Sequence, residues 1–261
     1  MEQLQEQMRT VMELTSSDFV RYLHDSIDWN AQLIAILGAR GVGKTTMLLQ
    51  HIKRYNSLKD TLFVYADNIY FSSHTLVDLA TSFYRNGGRH LYIDEIHKYK
   101  NWSQEIKNIY DTLPALQVVY TGSSILDLET GGADLSRRKL QYYMHGLSFR
   151  EYIRLRYGID IEVHSLSDLL SGNIRFPYSE LQPLPAWHDY VSYGYFPFFT
   201  KGNYLQLLNG IINQTVETDI PIFAGLSVSV ARKLKRLLAI IAASVPFKPN
   251  FTKMASALEI G

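Results

Sequence analysis

The stretch Gly38-Ala39-Arg40-Gly41-Val42-Gly43-Lys44-Thr45 decides the fold that we predict for this chain. It fits the pattern Gly, four residues, Gly-Lys-Ser/Thr, in which a glycine-rich backbone turns around phosphate groups. The residues before it, Leu33 to Leu37, form an apolar run typical of a buried parallel strand, and the residues after it repeat at helical spacing. The pattern therefore predicts a phosphate loop (P-loop) that joins a strand to a helix.

Each residue type in this loop has a physical reason. Glycines allow close approach of the backbone, so that N–H groups point at phosphate oxygens, and the helix starting near Gly43 adds its positive dipole end. Lys44 would reach the β- and γ-phosphates, and the hydroxyl of Thr45 would take one position on Mg²⁺. The residues predicted to bind the nucleotide are Gly38, Ala39, Arg40, Gly41, Val42, Gly43, Lys44, Thr45 and Thr46.

Two adjacent acids, Asp94 and Glu95, follow the apolar run Leu91-Tyr92-Ile93. Successive strand side chains point to opposite faces, so the two acids can serve different targets. We expect Asp94 to hold the Mg²⁺ shell and Glu95 to orient and polarise the attacking water as a general base. A glutamate aimed at water favours hydrolysis over transfer to another acceptor, so the sequence predicts an ATPase.

Two other stretches carry candidates for the reaction. Thr121-Gly122-Ser123-Ser124 ends the fourth predicted strand, where a hydroxyl could bond to the γ-phosphate or the attacking water, the role called sensor 1. We favour Ser123, with Thr121 and Ser124 as alternatives. One arginine of Arg137-Arg138-Lys139 could neutralise a γ-phosphate, its own or a neighbour's. Spacing alone fits a solvated basic turn equally well.

Strands and helices alternate through the first half of the chain. The predicted strands are 33–37, 61–66, 91–95, 117–121 and 139–144, and helices are predicted at 75–86 and 103–111. Such alternation implies right-handed crossovers and a parallel sheet covered on both faces. Ser148 and Glu151 predict a capping box that opens a further helix, after which mostly helical segments and proline-containing loops follow.

Composition limits the classes of function. The net charge of +1 gives no chain-wide electrostatic case for binding nucleic acid or an anionic membrane. The absence of Cys excludes disulfides, thiolate metal sites and cysteine nucleophiles. The N-terminus lacks the pattern of a signal peptide, and the longest apolar stretch, around Leu237 to Ala243, is too short to span a bilayer. We expect a cytoplasmic protein without a membrane partner.

Taken together, these motifs resemble bacterial and archaeal AAA-type ATPases that carry a winged-helix domain and a restriction-endonuclease-like C-terminal domain. The further matching stretches are Leu91 to Tyr99 with Trp102, Thr121 to Ser124, Leu147 to Tyr152, Gly194 to Pro197, and Thr218 to Ile220. Gly146 replaces a proline of the family pattern. Arg138 falls at the expected distance before Leu147, so the resemblance selects it as the candidate arginine.

The resemblance implies an α/β P-loop NTPase with a five-stranded parallel sheet of order 5-1-4-3-2. It implies N-terminal helices packed on the core (1–30), an ATPase core (31–147), a helical lid (148–225) and the start of a winged-helix domain (226–261). Asn250 to Gly261 resembles the first half of a helix-turn-helix, and the sequence stops before the recognition helix. ATP binding is therefore carried over, whereas DNA binding is not.

Two functions fit these observations. The first is Mg²⁺-dependent ATP binding and hydrolysis, in which a lid or partner moves with the nucleotide state. The alternative is an ATP-operated switch or scaffold with little turnover, whose output is binding to protein or DNA. Both predict ATP and ADP as ligands, and both allow a protein partner or self-association.

Overall fold

The computed structural model describes residues 1–123, 135–172, 174, 181–221, 225, 228–246 and 248–258. Its strands are β1 (Leu33–Leu37), β2 (Thr61–Tyr65), β3 (His90–Asp94), β4 (Gln117–Gly122) and β5 (Leu140–Tyr143). Its α-helices are α1 (Glu2–Glu13), α2 (Lys44–Tyr55), α3 (Leu76–Arg85), α4 (Trp102–Thr112), α5 (Phe149–Tyr157), α6 (Leu166–Ser171), α7 (Pro183–Tyr193), α8 (Tyr204–Gln214), α9 (Val228–Ala243) and α10 (Phe251–Leu258). Short 3₁₀ helices cover Tyr22–Ser26, Ile69–Ser72, Ile96–Lys98 and Pro197–Thr200, and a π-helical turn, Thr215–Asp219, follows α8.

The five strands form one parallel sheet in the order β2-β3-β4-β1-β5. This is the predicted order, 5-1-4-3-2, and the prediction of an α/β fold with helices around a parallel sheet is confirmed. β1 lies between β4 and β5, with Leu37 opposite Gly122 on one side and Tyr143 on the other. Because all strands run the same way, the carboxyl ends of β1, β3 and β4 lie at one edge, where open α/β sheets bind ligands.

The core lies between the sheet and the helices on its faces. All five residues of β1 are buried, as expected for a strand covered on both sides. Ile34 and Ile36 of this strand pack in one cluster with Met47 and Leu48 of α2 and with Met8 of α1. The N-terminal helix therefore contributes to the same core as the helix that follows the phosphate loop.

The chain divides into two compact units, Met1–Gly202 and Asn203–Gly261. The first unit contains the sheet and helices α1 to α7, and the second contains α8 to α10 with the π-helical turn. The four predicted segments (1–30, 31–147, 148–225 and 226–261) divide the chain more finely and stay predictions. Within the described ranges, none of the helices combines the length and the apolar character that crossing a bilayer requires.

Candidate functional site

The phosphate loop connects β1 to α2 at the carboxyl edge of the sheet. Gly43 has a φ of +101°, a conformation that residues with a side chain rarely adopt. A Cβ atom on Gly38 would lie 2.2 Å from the carbonyl oxygen of Met144, which follows β5. One glycine is therefore required by its backbone conformation, and the other by the close approach of a neighbouring segment.

Lys44 begins α2 and is buried against the loop. Its ammonium donates hydrogen bonds to the carbonyl oxygens of Gly38 (2.7 Å) and Ala39 (2.9 Å). Burial lowers the pKa of Lys44, and the nearby carboxylates of Glu95 and Asp94 partly offset this effect. A phosphate in the loop would compete with the two carbonyls for the ammonium, and it is the stronger, charge-assisted acceptor.

Asp94 ends β3 with only 2% of its surface exposed. Its Oδ2 accepts a hydrogen bond from the hydroxyl of Thr45 at 2.7 Å, and its Oδ1 accepts one from the hydroxyl of Thr121. Burial raises the pKa of Asp94, whereas the two hydroxyls and the ammonium of Lys44 act to lower it. The two residues predicted to hold Mg²⁺ thus lie in contact, and their oxygens are the ligand type that Mg²⁺ prefers.

Glu95 follows β3 with left-handed backbone angles, φ 55° and ψ 46°, which are uncommon for a residue with a side chain. Its carboxylate lies 2.8 Å from the ammonium of Lys98 and 3.5 Å from the guanidinium of Arg40. Burial opposes ionisation of this carboxyl, but Lys98 and Arg40 outweigh it, so the pKa of Glu95 is lowered. The carboxylate is therefore in the ionised form that a general base requires.

Of the three hydroxyls proposed for the sensor role, Thr121 is engaged with both acids. Its Oγ1 donates to the carboxylate of Asp94 and accepts the backbone N–H of Glu95 at 2.9 Å. Ser123 lies one residue beyond β4, and its backbone N–H donates to Nδ1 of His97 at 3.4 Å. Ser124 lies outside the described residues. Thr121 thus positions the two acids, and the sensor role of Ser123 stays a prediction.

Arg138 lies away from the loop. Its guanidinium forms two hydrogen bonds with the carboxylate of Asp111, Nε to Oδ1 at 2.9 Å and Nη2 to Oδ2 at 3.2 Å. Arg138 precedes β5, and Asp111 lies in α4 before β4, so both are at the amino edge of the sheet. Arg138 does not reach the loop of its own chain, and only a role towards a neighbouring subunit stays a prediction.

Sequence reasoning missed Arg21, which is 7% exposed and contacts the loop from the N-terminal segment. Its Nη1 donates to the carbonyl oxygen of Val42 at 2.6 Å, and its Nη2 donates to the carbonyl oxygens of His145 and Gly146 at 2.9 Å. Its Nε donates to Oε1 of Glu151 at 2.7 Å. Arg21 therefore ties the phosphate loop to the segment after β5 and to α5.

Glu151 also completes the predicted capping box. Its carboxylate accepts hydrogen bonds from the backbone N–H and the hydroxyl of Ser148, and the hydroxyl of Ser148 accepts the N–H of Glu151. Burial acts to raise the pKa of Glu151, but Arg21 and these bonds outweigh it and lower the pKa. The capping pattern was visible in the sequence, whereas no local spacing marks a partner as distant as Arg21.

A cavity of about 370 Å³ lies beside the loop. Gly41, the residues from Gly43 to Thr46, and Glu95 line one part of it. The remaining lining comes from Pro197, Phe198, Thr200 and Lys201, in the segment after α7. The Gly194 to Pro197 stretch is part of the family resemblance, but no sequence feature connects it with this site.

Residues 30–153 match a protein family described as AAA domain. The matched range contains the phosphate loop, the acids at the end of β3, and Arg138. An uncharacterized protein of Methanocaldococcus jannaschii is 28% identical over 249 residues, which cover 88% of this chain and 52% of that protein. The chain therefore spans about half the length of this curated relative.

Two solved structures also resemble the chain. A crystal structure of the FIGL-1 AAA domain is 15% identical with a TM-score of 0.35, over 54% of this chain and 53% of that one. A structure described as the basis for katanin self-assembly is 15% identical with a TM-score of 0.37, over 62% and 60%. Because both TM-scores are below 0.5, neither structure supports a conclusion about this chain. The family match shows that residues 30–153 are similar to AAA domains. It does not extend to the winged-helix and nuclease-like regions that the resemblance implied.

Proposed function

We propose that this protein binds ATP with Mg²⁺ and hydrolyses the bond between the β- and γ-phosphates. The observation that carries the proposal is that Lys44, Thr45 and Asp94 meet beside an ionised Glu95 at the carboxyl edge of the sheet. A cation for phosphate, oxygen ligands for a metal ion and a base for water are the parts that phosphoryl transfer to water needs.

The residues of the site fit both the nucleotide and the ion. Gly38 and Gly43 provide two loop positions without a side chain. Lys44 and the loop N–H groups would hold the phosphates, and the amino end of α2 adds a positive dipole. Thr45 and Asp94 would hold Mg²⁺, the latter directly or through water. When bound, Mg²⁺ neutralises phosphate charge and polarises the phosphoryl oxygens.

Glu95 would orient the attacking water and accept its proton. Thr121 supports this task, because its hydroxyl bonds to the backbone of Glu95 and to the carboxylate of Asp94. The proposal also includes a contact of Ser123 with the γ-phosphate and a contact of Arg138 with the site of a neighbouring subunit. Coupling of the nucleotide state to movement of the lid or of a partner belongs to it as well.

Two substitutions test the proposal in the chain of 261 residues. Lys44→Ala should abolish ATP binding in calorimetry, because the buried cation is lost. Glu95→Gln should still bind ATP but hydrolyse it about 10²- to 10⁴-fold more slowly, the usual contribution of a general base. Two exposed residues give matched controls, Lys59→Ala and Glu13→Gln, which should bind and hydrolyse ATP like the wild type. Failure of the wild type to bind ATP would refute the proposal, and unchanged turnover in Glu95→Gln would remove this residue from the mechanism.

Two contacts of Glu95 favour the alternative of a switch with slow turnover. The carboxylate of Glu95 lies between Lys98 and Arg40, and a carboxylate that two cations stabilise is a weaker base. On this alternative, ATP is held and rarely cleaved, and the bound form binds protein or DNA. Single-turnover hydrolysis, measured with and without DNA and candidate proteins, separates the two: the ATPase turns over alone, and the switch does not.

A further inference from the structure

We propose that Tyr195–Lys201, here named the cap segment, forms one wall of the nucleotide cavity, and that Lys201 and Thr200 contact the terminal phosphates of a bound nucleoside triphosphate. The inference rests on the proposed function and deepens it, since it adds binding residues from outside the AAA-matched range, which ends at residue 153. It starts from the cavity itself. Lys201 and Thr200 line the same space as Lys44, Thr45 and Glu95.

The start of the cap segment is held by the chain that follows β5. The backbone N–H of Leu147 donates to the carbonyl oxygen of Tyr195 at 2.7 Å. Gly146 lies directly against the ring of Tyr195, because a Cβ there would come within 2.4 Å of a ring carbon. Gly146 is also the residue whose carbonyl oxygen accepts a bond from Arg21, which in turn holds the phosphate loop at Val42. One network thus positions both the loop and the cap segment.

The middle of the cap segment packs against the core and the loop. Phe196 contacts the hydrophobic cluster formed around β1 and α2, and its ring stacks on that of Phe198 with 5.1 Å between centroids. Pro197 Cγ lies 3.9 Å from the position that a Cβ would occupy on Gly43. Because Phe196 and Pro197 make these contacts, the backbone that carries Thr200 and Lys201 is placed beside the cavity by the packing of the residues before it.

The charge around the cavity favours a phosphate group near Lys201. The carboxylate of Glu95 is already paired with Lys98 and Arg40, so it offers little free negative charge to a further cation. Among the described residues, the ammonium of Lys201 has no hydrogen-bond or ion-pair partner, and it is exposed to solvent beside the loop. A polyphosphate in the cavity supplies the anionic partner, with Lys44 on one wall and Lys201 on the other.

Calorimetry with Mg²⁺ and ATP, ADP or AMP tests the inference in the full chain. Lys201→Ala should weaken ATP binding by about 10-fold, the usual size of a charge-assisted hydrogen bond. The loss should be smaller for ADP and smallest for AMP, because terminal phosphates are the proposed partners. Lys201→Arg should retain most of the affinity, and Lys59→Ala, an exposed lysine outside the cavity, should bind all three nucleotides like the wild type. Thr200→Val should also weaken binding most for ATP and least for AMP, and each loss should be smaller than in Lys201→Ala.

Three results would overturn the inference. Wild-type affinity for ATP in Lys201→Ala would exclude a phosphate contact while leaving the proposed function intact. Equal losses for ATP, ADP and AMP would assign Lys201 to shaping the cavity and not to the terminal phosphates. Wild-type protein that binds no nucleotide would refute the proposed function together with the inference, so the two failures are distinguishable.

Discussion

The two edges of the sheet hold polar side chains in different ways. At the carboxyl edge, Lys44 bonds to backbone carbonyls and Asp94 to hydroxyls, and a cavity lies beside them. At the amino edge, Nε2 of His24 lies 3.1 Å from Nδ1 of His51, and the ring of His51 stacks on Trp29 with 3.7 Å between centroids. The first edge combines cation, acid and hydroxyl groups around one cavity, which suits a charged ligand, whereas at the second edge aromatic rings of the cavity lining stack on one another.

Cavity size does not distinguish the two edges. The amino edge has a cavity of about 380 Å³, close to the volume of about 370 Å³ beside the loop. Its lining includes the rings of His24, Trp29, His51 and Tyr55, which contact one another. The comparison shows that the chemistry of the lining, and not the volume, identifies the candidate nucleotide site. Three substitutions test how far this contrast holds, in decreasing order of effect.

The largest effect is expected from Arg21→Met, which removes the residue that ties the loop to α5. It should lower the free energy of unfolding by about 3–5 kcal/mol, because a buried carboxylate, Glu151, is left without its partner. Urea denaturation at pH 7 measures the change. Arg9→Met is the matched control, since Arg9 pairs with Glu6 at 3.8 Å on the exposed face of α1 and should contribute less than about 1 kcal/mol. Similar losses of unfolding free energy in both variants would show that the buried Arg21–Glu151 pair contributes no more to stability than the exposed Arg9–Glu6 pair does.

A smaller effect is expected at the amino edge from His51→Phe. Burial, together with His24 and His90, lowers the pKa of His51 to about 3, from 6.5 for a free histidine. Between these values the unfolded chain binds more protons than the folded chain, so stability is complete above about pH 6.5 and is lost as the pH falls towards 3. The phenyl ring retains the stacking but cannot be protonated, so the variant should lose less stability than the wild type between pH 7 and pH 5.

His188→Phe is the control for this experiment, because His188 is exposed on α7. It should keep the acid sensitivity of the wild type in urea denaturation at both pH values. If His51→Phe loses as much stability between pH 7 and pH 5 as the wild type does, the fold does not hold the histidines of the amino edge in their neutral form. The change in the free energy of unfolding should be smaller than for Arg21→Met, because it comes from the protonation of one side chain.

The sheet and half of the candidate site could be predicted because their signals are local. The apolar run, the glycine-rich loop and the helix after it are contiguous, and the parallel order then brings Asp94 to Thr45 at one edge. The capping box of Ser148 and Glu151 spans three residues and is visible in the same way. The strand order itself was implied only by the family resemblance. The other features depend on spacing within one element or on the rule that parallel strands end together.

The remaining parts of the site depend on contacts between residues distant in the chain. Arg21 and Glu151 are 130 positions apart, and no spacing rule connects them. The cap segment reaches the loop through packing around Gly146, which the sequence shows only as a departure from a family pattern. The left-handed backbone of Glu95 is likewise invisible, because a non-glycine residue gives no sign that it adopts such angles. Tertiary packing decides these features, and local sequence does not encode them.

The smallest effect on stability, but a specific one on activity, is expected from Lys98→Met. Lys98 lies 2.8 Å from the carboxylate of Glu95 and 2.6 Å from that of Asp67 at the protein surface. Without Lys98, burial raises the pKa of Glu95 and is opposed only by the weaker effects of Arg40 and His97. A base is active when ionised, so the acidic limb of the pH profile of kcat, measured with saturating Mg²⁺ and ATP, should move to higher pH. Lys100→Met, a substitution at an exposed neighbour, should leave this limb unchanged.

An unmoved limb in Lys98→Met would show that Lys98 does not control the protonation of Glu95. Faster turnover at every pH would instead show that the ion pair restrains Glu95, which is what the switch alternative requires.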